Sequence, residues 1–330
     1  MQFGSYLGGL FEANGYIAVH DKNSKSKQFR PKIIIVFNLA DKPLAEKLSA
    51  VLKVGKVISK PSAGHVILQI LAKEEVLKVI NLINGYMRTP KIEALHRAIN
   101  WINENDNSSI VCLGLDKSPI DSNSWLAGFT DGRAFCFNII ISDRNKNIFR
   151  FESKFKLKFN IVFPNNVKEE LVGSGYFLLF SEICEYFKTN LISKTIHSTN
   201  IKFTFIVLAH NSASQDIIME YFKKFPLLGI NYWGYLNWCE ARLKALNKSN
   251  LQSDAAIEIK MIKKRMKQIP KYILANNFNL YFNYVGPVIS KRDFSTVSIN
   301  KEKSTSKLSK ALVNKPSQCT SLVGRAREIY

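Results

Sequence analysis

Two short stretches carry the residue types whose placement bears most directly on chemistry. Ser5 to Tyr16 reads SYLGGLFEANGY, and Ser124 to Phe135 reads SWLAGFTDGRAF. Aligned, Glu12 answers Asp131, and two residues later Asn14 answers Arg133. Both stretches read as a short helix running into a strand. A matched position thus holds a neutral amide in one copy and a cation in the other. An asparagine oxygen ligates a hard cation weakly, whereas a guanidinium cannot ligate at all. A like charge about 4 Å from a cation costs ~4 kcal/mol at an effective dielectric of about 20. Arg133 instead suits a phosphate oxygen, as a charge-assisted donor.

The elements that must position these residues repeat as well. Leu7 and Leu126 begin equivalent helices 119 residues apart. Ser5 and Ser124 each precede an aromatic residue and a leucine, where a hydroxyl would N-cap a helix. Gly8 and Gly9, and Ala127 and Gly128, follow. Glycine within a helix costs about 1 kcal/mol relative to alanine, so glycines at matched positions imply close backbone approach, the two helices packing on one another. Further along, Leu71-Ala72 and Leu208-Ala209 each close an apolar run, and Trp101 and Trp238 each lie 30 residues beyond that leucine. These anchors make the second copy 18 residues longer, with the excess expected in a strand hairpin and the loop near Asn165.

Each copy reads as helix, strand, strand, helix, strand, strand, helix, helix. The fold expected is α+β, two αββαββα repeats related by an internal pseudo-two-fold within a monomer. YIAVH and KIIIVFNL are β-rich runs, Asp41 is placed to N-cap the KPLAEKLSAVL helix, and KPSAGH turns a hairpin. The first repeat spans 1–102, a polar linker 103–123 and the second repeat 124–246. A basic helical region covers 247–288 and a Ser/Lys-rich tail 289–330, the latter expected to be ordered by a partner.

The chain of 330 residues carries 47 basic and 26 acidic side chains, a formal net charge of +21. Charge of this size favours a polyanionic partner, nucleic acid before an anionic membrane. No apolar run reaches the roughly 20 residues that span a bilayer. The five cysteines (112, 136, 184, 239 and 319) and five histidines (20, 65, 96, 197 and 210) are scattered, so neither a disulfide framework nor a zinc site is expected. The N-terminus enters the first helix without a leader pattern. Abundant Lys, Asn, Ile and Phe fit an AT-rich organellar genome.

The pattern L-x-G-[LF]-x-[DE]-x-x-[GA], present twice on a basic chain, resembles the LAGLIDADG homing endonucleases of organellar introns. NGYMRTPKIEALHRAINWIN and LDKSPIDSNSWLAGF are similar to the single-chain, two-repeat branch. The resemblance implies paired motif helices at the centre and two curved antiparallel sheets forming a saddle over nucleic acid. It also implies an acid at the eighth motif position of each helix, the pair binding Mg²⁺ for hydrolysis of both strands. Here those positions are Asn14 and Arg133, followed by Gly15 and Ala134, so the catalytic positions are expected to be inactive and no metal or other cofactor is expected; Mg²⁺ enters only if the chain is an endonuclease. Glu12 and Asp131 lie about 200° around their helices from these positions. They are expected to face away and to cap or pair locally.

RFESKFKLKFNI alternates, with Phe151, Phe155, Leu157, Phe159 and Ile161 on one face and Arg150, Lys154, Lys156 and Lys158 on the other. With Arg144, Lys146, Lys194 and Lys202, and with Lys22, Lys25, Lys27, Arg30 and Lys32 in the first copy, these form the expected nucleic-acid surface, joined by Arg133. The function expected is binding without cleavage in an organelle, the mitochondrial matrix before a plastid. Structured RNA is favoured over duplex DNA, with the chain acting as an intron maturase or within a ribonucleoprotein such as the mitochondrial ribosome. An active or nicking Mg²⁺-dependent DNA endonuclease is the alternative.

Overall fold

The computed structural model describes residues 3–19, 30–106, 108–132, 135–145, 148–164, 169–197, 200–246 and 253–268. The contacts expected at Lys22, Lys25, Lys27, Arg133 and Lys146, and the tail 289–330, lie outside them. The first repeat comprises α1 (Phe3–Asn14), β1 (Gly15–Ala18), β2 (Lys32–Asn38), α2 (Lys42–Leu52), β3 (Lys56–Lys60), β4 (His65–Ile70), α3 (Lys73–Ile83) and α4 (Ile92–Asp106). The second comprises α5 (Trp125–Asp131), β5 (Phe135–Asn145), β6 (Ile148–Pro164), α6 (Glu169–Tyr186), β7 (Leu191–His197), β8 (Asn200–Ala209), α7 (Ser212–Lys224) and α8 (Asn231–Leu246). A helix outside both repeats, α9 (Ser253–Met266), follows. The two antiparallel sheets have the same order, β1-β2-β4-β3 and β5-β6-β8-β7.

Alternation makes the strands and sets their faces. Ile33, Ile35 and Phe37 of β2 are buried, as are Val66, Leu68 and Ile70 of β4. Against them α2 lays an apolar stripe of Leu44, Leu48 and Leu52, and α3, packed on α1, buries Val76, Val79, Ile80 and Ile83, both at the three- and four-residue spacing of a helix. The second repeat builds the same layer from rings. Phe137, Phe155, Phe159, Phe180, Phe187, Phe205, Phe222 and Trp238 are buried, and Phe155 meets Phe187 and Phe222 at centroid distances of 5.8 and 6.1 Å.

The repeats meet where α1 crosses α5. The Ser5 and Ser124 hydroxyls lie 2.8 Å apart across this crossing, both buried. Neither caps its own helix as expected: α1 already begins at Phe3, and Ser124, at the N-cap of α5, makes no capping bond with its side chain. A Cβ on Gly9 would overlap the Trp125 carbonyl oxygen, and one on Gly128 the Tyr6 carbonyl oxygen. The close approach therefore belongs to Gly9 and Gly128. Gly8 faces Tyr86 instead, and Ala127 is buried.

Two other expectations change. Asp41 stands at the N-cap of α2 without a capping bond, because its carboxylate accepts from the Ile230 N–H of the other repeat at 2.8 Å. The Leu-Ala pairs are not equivalent: β4 ends at Ile70, leaving Leu71 exposed, whereas Leu208 and Ala209 lie within β8. Matched contacts give the true offset. Glu12 reaches Arg88, 76 residues on, and Asp131 reaches Leu228, 97 residues on, so the second copy is 21 residues longer. Much of the excess goes into β6, of 17 residues against 7 in β2, and α6, of 18 against 11 in α2.

Candidate nucleic-acid interface

The last turns of α1 and α5 lie side by side, where a Cβ on Gly132 would meet Ala13. Asn14 ends α1 and is half-buried, immediately before β1. The Lys91 ammonium donates to the Gly15 carbonyl at 2.9 Å, which places a cation beside the eighth motif position of the first repeat. Sequence reasoning does not single out Lys91. Its one signal is position, at the start of a helix behind the Thr89-Pro90 turn.

Glu12 and Asp131 point away from this end, but their partners are distant rather than local. The Glu12 carboxylate accepts from the backbone N–H groups of Arg88 and Thr89, the Thr89 hydroxyl and the Trp125 indole, the last at 2.6 Å. Asp131 accepts from the backbone N–H groups of Leu228, at 2.6 Å, and Gly229 and from the Tyr6 hydroxyl at 2.9 Å. Each acid thus holds the turn that leads into its own repeat's last helix and binds an aromatic donor on the opposite motif helix. Tyr6 and Trp125 occupy the same place in the repeat, one residue after Ser5 and Ser124. Burial pushes Glu12 up to about 7 and Asp131 up to about 6, against the lowering effect of those hydrogen bonds. Asp41 is pushed up to about 7 by burial, with a smaller contribution from nearby Asp131.

The donor set does not fit a divalent ion. The eighth positions carry, as residue types, one amide and one guanidinium, while the acids two residues back are buried, Glu12 accepting from the fold through both oxygens and Asp131 through Oδ2. Among the described residues no three His, Cys, Asp or Glu side chains gather as a metal site. A hard cation such as Mg²⁺ takes charged oxygens, and the two eighth motif positions carry none.

The sheet faces opposite the helices are open and basic. On β6, Phe155, Leu157 and Phe159 are buried while Lys154, Lys156 and Lys158 alternate outward, as the sequence pattern requires. Lys154 lies across from Asn138, Lys156 from Cys136, and Lys158 from Ile206. Lys194 and Lys202 extend this face over β7 and β8, opposite Thr204 and Val162 respectively. Arg150 and Lys154 both pair with Glu152, at 2.8 and 3.3 Å, so they are partly neutralised. Lys156, Lys158, Lys194 and Lys202 form no ion pair among the described residues. Arg144 lies in β5. In the first repeat Arg30 is exposed just before β2, and Lys32 pairs across to Ala18. Lys56 and Lys60 on β3, opposite Gln69 and His65, belong to this face too. Their signal is the alternation in KVISK, which is short and has a serine where a core residue would stand.

No helix among the described residues is long and apolar enough to cross a membrane. The sequence profile of the family described as LAGLIDADG endonuclease matches residues 7–102 and 126–242. Two similar curated proteins are the intron-encoded DNA endonuclease aI3 of Saccharomyces cerevisiae, 33% identical over 259 residues, and the cox1 intron-2 37.2 kDa protein of Schizosaccharomyces pombe, 28% identical over 264. The matches cover 72% and 78% of this chain, and the chain spans 62% and 71% of the length of those proteins. Among solved structures, the homing endonuclease I-GzeII in complex with its DNA target aligns with a TM-score of 0.60 at 16% identity, over 81% of this chain and 99% of that one. I-SmaMI bound to cleaved DNA aligns with a TM-score of 0.59 at 18% identity, over 80% and 96%.

Proposed function

Since the chain belongs to the LAGLIDADG endonuclease family, we propose that it grips nucleic acid on the open faces of its two sheets and does not cut it. One observation carries this reading. The acids nearest the motif-helix ends, Glu12 and Asp131, are buried and spent on backbone N–H groups, while the eighth motif positions hold Asn14 and Arg133. The two eighth motif positions therefore bring phosphate a cation and Mg²⁺ no carboxylate.

The polymer proposed is structured RNA, that of the mitochondrial intron encoding the chain, in the manner of a splicing maturase. The two relatives are by name intron products, one of them from a cox1 intron. An intron-encoded binder that leaves DNA intact has the intron transcript as its nearest ligand. The basic composition of residues 289–330 also suits RNA, into which such extensions thread. Mg²⁺-dependent DNA cleavage is the second reading, favoured by the relative named a DNA endonuclease.

The test has two arms. The purified chain is incubated with Mg²⁺ or Mn²⁺ and a duplex spanning the intron-insertion site, and its affinities for that duplex and for the intron transcript are compared at one salt concentration. Tight transcript binding with uncut duplex is expected. Double-strand cutting would overturn the non-cleaving reading, and preference for the duplex would overturn RNA as the ligand.

A further inference from the structure

Helix α9 lies outside the two repeats. Lys260 and Lys263, three residues apart, share one side of the helix, and Lys267 follows in the turn just past its end at Met266. Ala255, Ile259 and Ile262, on an adjoining stripe, are buried, and α9 rests on α8 and the β5–β6 hairpin. Its orientation is fixed by the seam with α8. The Trp233 indole donates to the Arg265 carbonyl at 3.0 Å, Arg265 donates to Asn237 at 2.6 Å and pairs with Glu240, and Lys244 pairs with Glu258 at 2.6 Å.

This seam lays the lysines along the free edge of the second sheet. At one end the Lys260 ammonium sits 4.6 Å from the Phe149 ring centroid, near the tip of the β5–β6 hairpin. At the other, Lys263 and Lys267 line an open cavity of about 290 Å³ with Cys136, Asn138, Asn231 and Trp233. β5 is an edge strand among the described residues, and this cavity lies beside it. Lys263 and Lys267 make no ion pair among the described residues.

The cavity also marks a difference between the repeats. Ile92 N–H bonds the Thr89 carbonyl and Tyr232 N–H bonds the Gly229 carbonyl, so Asn231 stands where Lys91 stands in the first repeat. The second repeat thus carries an asparagine at the position from which Lys91 reaches the Gly15 carbonyl in the first. Lys263 and Lys267 bring positive charge to the cavity that Asn231 lines.

We propose that α9 is a phosphate rail: Lys260, Lys263 and Lys267 carry the nucleic-acid surface past the edge of β5 and contact the backbone of one strand. The row covers about 10 Å of helix axis, from a rise of about 1.5 Å per residue. On B-form DNA one strand places a phosphate about every 3.4 Å along the axis, so three lysines match about three phosphates. This rests on the nucleic-acid reading above and assigns α9 a part in it.

The experiment uses the full chain and two labelled probes, a 40-base-pair duplex spanning the insertion site and the intron transcript, with affinity read by anisotropy against salt concentration. Lys260→Gln, Lys263→Gln and Lys267→Gln together should lower the salt slope by about 2 to 3 on the duplex, at about 0.9 for each phosphate no longer neutralised, and should lower it on the transcript as well. A control with the same charge change, Lys53→Gln, Lys188→Gln and Lys223→Gln in the helical layer, should leave the slope near the wild-type value. A normal thermal transition shows that the α9 variant is folded. Should it lose cooperative unfolding, the single Lys267→Gln variant, at an exposed position just past the end of α9, carries the same test, with a slope change of about 0.9 on the duplex. An unchanged slope in a folded variant, or an equal fall in the control, would overturn the rail while the wild type still binds. A wild type that binds neither probe would overturn the nucleic-acid reading itself.

Discussion

The hydroxyls of Ser5 and Ser124, 119 residues apart in sequence, hydrogen-bond at 2.8 Å in the buried crossing of α1 and α5. The separation equals the repeat offset of the two motif helices, so the bond joins a residue to its own counterpart. The pseudo-two-fold axis passes between them. From it outward, Gly9 and Gly128 touch backbone and Tyr6 and Trp125 reach across to Asp131 and Glu12.

Gly9→Ala should destabilise the chain by about 3–5 kcal/mol, as should Gly128→Ala, because each new methyl overlaps a backbone oxygen rather than a movable side chain. Gly64→Ala makes a contrast: nothing lies within 4 Å of its Cβ position, and only its positive φ of 69° resists, for a loss of about 1 kcal/mol. Thermal melts of the three variants check the order.

Glu12→Gln should cost about 2–4 kcal/mol. The amide turns an N–H₂ group toward donors that the carboxylate accepted, the Trp125 indole and the Arg88 and Thr89 N–H groups among them, and leaves buried donors unpaired. Urea titration measures the loss. A variant as stable as wild type would show that these bonds contribute little.

The crossing was legible in the sequence because Gly9 and Gly128 and the flanking Ser5 and Ser124 repeat in register. The longer-range offset was not. Leu71 and Leu208 share a spacing to a tryptophan, yet one is exposed past the end of its strand and the other lies inside one. Spacing along the chain does not report which residues hydrogen-bond across a sheet, and the indels that separate them leave no local mark. The basic face of β6 was legible from strict alternation. Lys91 and Asp41 were not, since each does its work through a contact made only after the chain folds back, to Gly15 and to Ile230.

Stability should fall as pH rises from about 4 to about 7. Asp41, Glu12 and Asp131 all have folded-state values above the ordinary carboxyl range, so over this window the folded chain holds more protons than the unfolded chain. Protonation below the window removes the cost of burying their charge. Asp41→Asn should flatten this dependence, lessening the difference between pH 5 and pH 8 by on the order of 1–3 kcal/mol. Denaturation at the two pH values is the measurement, and an equal difference in the variant would refute the assignment.

Asn14→Asp with Arg133→Glu should create Mg²⁺-dependent nicking or cutting of the insertion-site duplex where the natural chain shows none. The exchange replaces an amide and a cation with two carboxylates at the helix ends. Gel analysis of supercoiled plasmid carrying the site reads both products. Equal cleavage by both proteins would mean that carboxylates at these positions were never required.

Lys154→Gln, Lys156→Gln and Lys158→Gln together should lower the salt slope of duplex binding by about 2 to 3. Lys156→Gln should weaken binding more than Lys154→Gln, because Glu152 already holds Lys154 at 3.3 Å. Anisotropy titrations at several salt concentrations provide the comparison.

The crossed aromatic-to-acid bonds have a consequence for how such chains diversify. Tyr6 and Asp131 form one lock and Trp125 and Glu12 the other, and every lock draws its two parts from different halves. A hybrid that joins the front half of one relative to the back half of another inherits a key from one parent and a keyhole from the other. A hybrid whose parents differ in the phenol, the indole or either carboxylate should therefore lose a buried hydrogen bond at the seam between its halves.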